Sequence, residues 1–139
     1  MKILVPVDGS LYSLKAVESA CDLAKAMPPD QIVLLAVAPE LFDLEDEGHF
    51  VTGKLKAQAQ KALEDAMARA QGKGVTPQTL LASGVSVADE IVRVAEEEKF
   101  DLIVIGSRGL GAKTSFFLGG TATKVVTYAP CSVLVVKTP

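Results

Sequence analysis

Apolar residues along the chain follow two alternating rhythms: short continuous runs, and longer stretches where they recur at helical spacing. Lys2 to Val7, Gln31 to Val37, Val75 to Ala82, Asp101 to Ile105 and Ser132 to Val136 are short and rich in β-branched residues, and they predict five buried strands. After Ser10 the pattern turns helical, with Leu14, Val17, Cys21 and Ala24 on one face and Lys15, Glu18, Asp22 and Lys25 mostly on the other. Ser10 or Ser13 can cap this helix, and Pro28-Pro29 ends it. A longer helix runs from about Thr52 to Gln71 with Leu55, Ala59, Leu63, Ala66 and Ala70 as its stripe, and Gly72 and Gly74 stop it. Gly84 turns the chain and Ser86 can cap a third helix carrying Ala88, Ile91, Val92 and Ala95. A short fourth helix spans Thr121 to Tyr128, before Pro130. Pro39 to about Val51 reads as an acidic, irregular connection whose lone histidine, His49, is solvated surface.

Apolar strands alternating with amphipathic helices predict a doubly wound α/β fold, a five-stranded parallel sheet with helices on both faces. In such sheets ligands sit beyond the carboxyl ends of the strands, where the strand order reverses. With the order 3-2-1-4-5, Asp8 after the first strand and Gly106 after the fourth become neighbours at that point.

Composition narrows the class without changing this picture. A chain of 139 residues, 49% hydrophobic and 22% charged, fits one globular domain over residues 1–139. No apolar run approaches the roughly 20 residues of a membrane span, and Met1 leads into Ile3-Leu4-Val5 without a signal-peptide pattern, so a cytoplasmic location is expected. Cys21 and Cys131 lack metal-ligand spacing and read as small buried hydrophobes, and no metal-ligating cluster is expected. All 17 acidic residues fall between Asp8 and Asp101. The segment from Ser107 onward carries only cations, Arg108, Lys113, Lys124 and Lys137. That asymmetry favours an anion in the C-terminal part, or reflects only how few sites two buried strands and a glycine loop leave for carboxylates. The basic residues are too sparse for a nucleic-acid footprint.

The chemistry concentrates in Gly106-Ser107-Arg108-Gly109 and, after an apolar Phe116-Phe117-Leu118, in Gly119-Gly120-Thr121-Ala122. Phosphate oxygens are reached closely by backbone N–H groups where no Cβ intervenes, as at Gly106 and Gly109. Gly119 and Gly120 precede a helix whose first N–H groups are unpaired and whose dipole favours negative charge. Taken singly, each glycine could serve only a turn or a close strand–helix contact; together at the switch point they predict a phosphate cradle. The segment is not a P-loop, because Ala112 stands between Gly111 and Lys113. Nor does the first turn, Asp8-Gly9-Ser10, carry the dinucleotide fingerprint.

These residues resemble the universal stress protein family over essentially the whole chain. Gly106, Gly109 and Gly119 fit the spacing of its nucleotide-binding members, Gly, two residues, Gly, nine residues, Gly, then Ser or Thr. Val5-Pro6-Val7-Asp8-Gly9-Ser10 is similar to the family's first strand and turn, and Ala129-Pro130-Cys131-Ser132-Val133-Leu134-Val135-Val136 to its last strand. The resemblance implies a Rossmann-like fold of the adenine nucleotide alpha-hydrolase type. It also implies an adenine pocket lined by Pro6, Val7 and Val37 and a ribose contact from Asp8. Gly106, Ser107, Arg108 and Gly109 would lie near ribose and α-phosphate, and Gly119, Gly120, Thr121 and Ala122 at the outer phosphates. Asp8 has a plainer use as an Asx turn feeding the first helix. One position departs from the pattern: Gly120 stands where the family has Ser or Thr, with Thr121 and Thr123 following.

The implied function is a regulatory protein of the stress response, binding ATP, or ADP or AMP, with Mg2+ held mainly by the phosphates. The implied partners are an unidentified protein and a second copy of the chain, paired through strand residues 133–137. The alternatives are a nucleotide-free dimeric interaction module and a slow ATP hydrolase, for which Asp8 is the one base near the cleft.

Overall fold

The structure, a computed structural model, describes residues 1–40, 46–109 and 118–138. In chain order its elements are β1 (Lys2–Pro6), α1 (Leu11–Ala26), β2 (Gln31–Pro39), α2 (Asp46–Gly72), β3 (Gln78–Gly84), α3 (Val87–Glu97), β4 (Leu102–Gly106), α4 (Gly120–Tyr128) and β5 (Ser132–Val136). The five strands form one parallel sheet in the order β3-β2-β1-β4-β5, as the alternating pattern predicts.

The apolar strand runs are continuous because both faces of the sheet are covered. Successive side chains point to opposite faces. Ile3, Val5, Ile32, Leu34, Ala36 and Val104 therefore pack under α1 and α2, and Leu4, Val33, Leu35, Ile103 and Ile105 under α3 and α4. Burying a side chain such as Ile3, Leu34 or Ile103 completely contributes about 1.5–3 kcal/mol. Alanines at 16, 20, 62, 66 and 70 are buried where α1 and α2 meet the sheet. The same two helices are pinned at their outer edge by Arg69 to Glu18 (2.6 Å) and Lys73 to Asp22 (2.7 Å). The hydrogen-bonded Arg69 guanidinium holds the Glu18 carboxyl below its ordinary value.

Local signals fix the helix starts. Ser10 caps α1, its Oγ accepting the Ser13 N–H at 3.2 Å, and Ser86 caps α3, accepting the Asp89 N–H at 3.2 Å. Four element boundaries and one helix face differ from the sequence pattern. β2 continues to Pro39 and Gly84 ends β3 instead of turning the chain, because the two strands stay in register from Val33–Gln78 to Pro39–Gly84. β3 begins only at Gln78, since Pro77 has no N–H for the ladder. α2 begins at Asp46, so His49 lies on a helix and not in an irregular connection. In α3 the fourth buried side chain is Val94 in place of Val92, because that helix meets α4 as well as β2 and β3. Both cysteines are free; Cys21 is buried but Cys131 is only half-buried, and burial pushes both thiols above their ordinary value.

Candidate functional site

β1 lies in the middle of the sheet, with β2 on one side and β4 on the other. The chain leaves β1 toward α1 on one face and β4 toward α4 on the other, so the carboxyl ends of β1 and β4 part there. The resulting crevice is a cavity of about 590 Å³. Eleven of the twelve residues named from the sequence line it: Pro6, Val7, Asp8, Val37, Gly106, Arg108, Gly109, Gly119, Gly120, Thr121 and Ala122. Ser107 does not. It is 4% exposed, and its Oγ has no hydrogen-bond partner among the described residues. Its main chain does the joining, donating to the Val136 carbonyl at 3.0 Å and accepting the Gly119 N–H at 2.7 Å, which ties the end of β4 to the start of α4.

At the β1 end, Asp8 is exposed to the cavity and held by its own turn. Its Oδ1 accepts the Ser10 N–H at 2.9 Å, and its N–H donates to Ser13 Oγ at 3.3 Å. The Asx turn and an outward-facing carboxylate are therefore compatible. Oδ2 lies against Gly109, so close that a Cβ on Gly109 would overlap it. Asp8 and Gly109, 101 residues apart in sequence, are brought together by the strand order alone.

At the α4 end, Gly119 is the N-cap and has no side chain to satisfy the helix. The N–H groups of Gly120, Thr121 and Ala122 precede the first helical hydrogen bond, which Thr123 N–H makes to the Gly119 carbonyl at 2.9 Å. The first turn carries no acidic residue. Thr121 faces the cavity and Thr123 does not line it. α4 is anchored to α3 by Lys124 and Asp89 at 2.9 Å, and the Lys124 hydrogen bond holds the Asp89 carboxyl below its usual range.

The opposite wall is mostly apolar. Leu35 carbonyl accepts the Val7 N–H at 2.8 Å, so Leu35 directs its main-chain groups toward β1. Alternate residues of a strand point the same way, and two residues on Val37 presents its N–H and carbonyl to the side where β1 has ended, which is the cavity. Val87 and Ile91 of α3 and Leu55, Gln58 and Ala59 of α2 complete the wall. The sequence signal for these was present but ambiguous: Leu55, Ala59 and Ile91 belong to the apolar stripes of their helices, and a stripe reads the same over a core as over a crevice.

Charge reaches the cavity sparingly. Among the described residues that line it, only Asp8 and Arg108 are charged. Lys124 is committed to Asp89, and Lys137 lies outside the lining. Gly111, Lys113, Phe116 and Phe117 fall outside the described residues. Among the described residues no three His, Cys, Asp or Glu side chains converge as a metal site would require. None of the described helices is long and apolar enough to cross a membrane.

The chain matches the model of the universal stress protein family over residues 1–137. It is 38% identical to a universal stress protein of Methanocaldococcus jannaschii, over 99% of this chain and 82% of that one. Among solved structures it is similar to the universal stress protein UspA from Lactobacillus plantarum, with a TM-score of 0.85, 26% identity and coverage of 99% and 97% of the two chains. It is also similar to a universal stress protein crystallised in complex with cAMP, with a TM-score of 0.75, 27% identity and coverage of 100% and 98%.

Proposed function

This chain belongs to the universal stress protein family, and we propose that it binds an adenine nucleotide in the crevice between β1 and β4 and uses occupancy to regulate its affinity for a protein partner. The observation that carries the reading is the convergence, around one cavity, of an aspartate, closely approached glycine backbone and an uncapped helix start. The adenine packs between Pro6, Val7 and Val37, and the Val37 main chain reads its edge. Asp8 accepts from the ribose hydroxyls, Gly106 to Gly109 border the α-phosphate, and the N–H groups of Gly120, Thr121 and Ala122 face the outer phosphates. The relative solved with cAMP supports an adenine nucleotide as the class of occupant.

ATP, ADP and AMP differ only at the α4 end, where Gly120 offers no hydroxyl. Mg2+ accompanying a triphosphate would be held mainly by phosphate oxygens, since Asp8, the one carboxylate among the described lining residues, is taken up by the ribose in this reading. A sensor of this kind in the stress response belongs in the cytoplasm, with the nucleotide pool it reads. β5 is an edge strand with Leu134 42% exposed, and an exposed apolar edge is normally covered, which supports a homodimer through residues 133–137. The test is calorimetric titration of ATP and AMP into the parent and a Gly109→Val, Gly119→Val double variant. The parent binds one nucleotide per chain and the folded double variant does not; equal affinities would end the reading.

A further inference from the structure

Arg108 is placed unusually for a surface cation. β4 ends pressed on the first turn of α1: a Cβ at Gly106 would lie 2.7 Å from the Tyr12 carbonyl oxygen and 3.1 Å from the Tyr12 Cβ. Two residues on, the Arg108 guanidinium stands over the Tyr12 ring, with Cζ 4.9 Å from the centroid. The stem of the same side chain crosses the start of α4, since a Cβ at Gly119 would lie 3.2 Å from Arg108 Cα and 3.6 Å from its Cγ. One side chain thus has its stem at the uncapped helix start and its head on an aromatic ring. Among the described residues, Arg108 is also the one cation in the cavity lining.

We infer that Arg108 is the phosphate-reading residue of the site and that Tyr12 holds its guanidinium in reserve until a phosphate arrives. The inference rests on the nucleotide reading above. Rotation about the outer bonds of the side chain carries the guanidinium from the ring toward the N–H groups of Gly120 to Ala122. There a planar fork of donors meets phosphate oxygens, a charge-assisted contact stronger than a surface cation–π contact. The exchange is favourable only when the ligand is anionic. Adenosine, which has the base and ribose but no phosphate, leaves Arg108 on the ring. Arg108 and Tyr12 thereby set how strongly the site prefers a phosphorylated nucleoside, while the apolar wall and Asp8 set the preference for adenine and ribose.

The test compares AMP with adenosine. Arg108→Met keeps an unbranched stem beside Gly119 and lowers the AMP-to-adenosine affinity ratio about tenfold or more, with adenosine binding unchanged; Arg108→Lys, which keeps the charge and loses the fork, falls between. Tyr12→Leu raises the ratio about two- to fivefold, the release of a surface cation–π contact. A spectroscopic arm uses the absence of tryptophan: in Tyr128→Phe the one remaining tyrosine is Tyr12. AMP changes its emission, adenosine does not, and adding Arg108→Met abolishes the AMP response. If Tyr12→Leu does not fold, the Arg108 variants and the emission decide. An unchanged ratio in Arg108→Met with both ligands bound overturns the inference and leaves the nucleotide site standing. Binding of neither ligand to the parent overturns both.

Discussion

Gly106 and Gly109, at and just beyond the end of β4, and Gly120, which begins α4, look alike in sequence and sit in opposite surroundings. At Gly106 and Gly109 a Cβ would collide, with Tyr12 backbone in one case and the Asp8 carboxylate in the other. At Gly120 a Cβ would meet nothing within 4 Å. The first pair lies against the protein itself, against backbone at Gly106 and against a side chain that can move at Gly109. Gly120 has no such requirement, so the missing side chain there changes only what a ligand finds. Packing glycines and open, cavity-facing glycines can thus share one motif, and mutation separates them.

The largest effect is expected where the obstacle is backbone. Gly106→Val drives a branched side chain into the first turn of α1 and should cost about 3 kcal/mol or more, read as a lower urea midpoint at unchanged slope. Unchanged stability would remove Gly106 from the packing class. Gly109→Ala meets a side chain that can move. Its stability loss should stay within about 1 kcal/mol, but Asp8 is displaced from the ribose position and AMP affinity falls by about one to two decades. Calorimetry beside urea unfolding separates the two quantities, and a variant that loses stability but not affinity would contradict the placement of Asp8.

Gly120→Ser fills open space and restores a hydroxyl at the helix start. ATP affinity should rise about tenfold or more relative to AMP in competition titrations, while Gly120→Ala leaves that ratio unchanged. Equal ratios in all three proteins would mean that the outer phosphates lie elsewhere. The smallest effect is the inverse case, a position that calls for glycine and lacks it. Lys99, at φ 56°, follows the end of α3, where Phe100 N–H bonds the Ala95 carbonyl (3.0 Å) and Lys99 N–H the Glu96 carbonyl (3.3 Å), the bonding of a Schellman turn. Lys99→Gly should gain about 0.5–1 kcal/mol with nucleotide affinity untouched, visible as a higher melting temperature.

What could be read from the sequence follows from the same distinction between packing and ligand. Strands buried on both faces and helices with one apolar stripe leave one-dimensional signatures, so the sheet order and the meeting of Asp8 with the loop that starts at Gly106 were legible, while its contact with Gly109 in particular was not. Contacts made by side chains from distant helices were not. Leu55 and Ile91 carry stripes that look like core, and nothing near Tyr12 in sequence announces that Arg108 will rest on its ring. Burial of Ser107 was likewise hidden, since the residue sits among glycines in a segment that reads as wholly ligand-facing. Charge patterning overstated its case. Of the described cations after Ser107 only Arg108 reaches the cavity, and Lys124 is spent on Asp89. Among the described residues, an anion in this crevice would thus meet backbone N–H groups and one cationic side chain.

The most direct test of a nucleotide in this crevice is backbone amide NMR of the 14.6 kDa chain during titration with AMP. Binding between β1 and β4 requires the largest saturable shifts at Asp8, Val37, Gly109 and Gly119 to Ala122, with the N-terminal ends of the strands unmoved. Saturable shifts centred on the groove around Lys25, Gln31 and Gln78 at that opposite end, or no shifts at millimolar AMP, would contradict it.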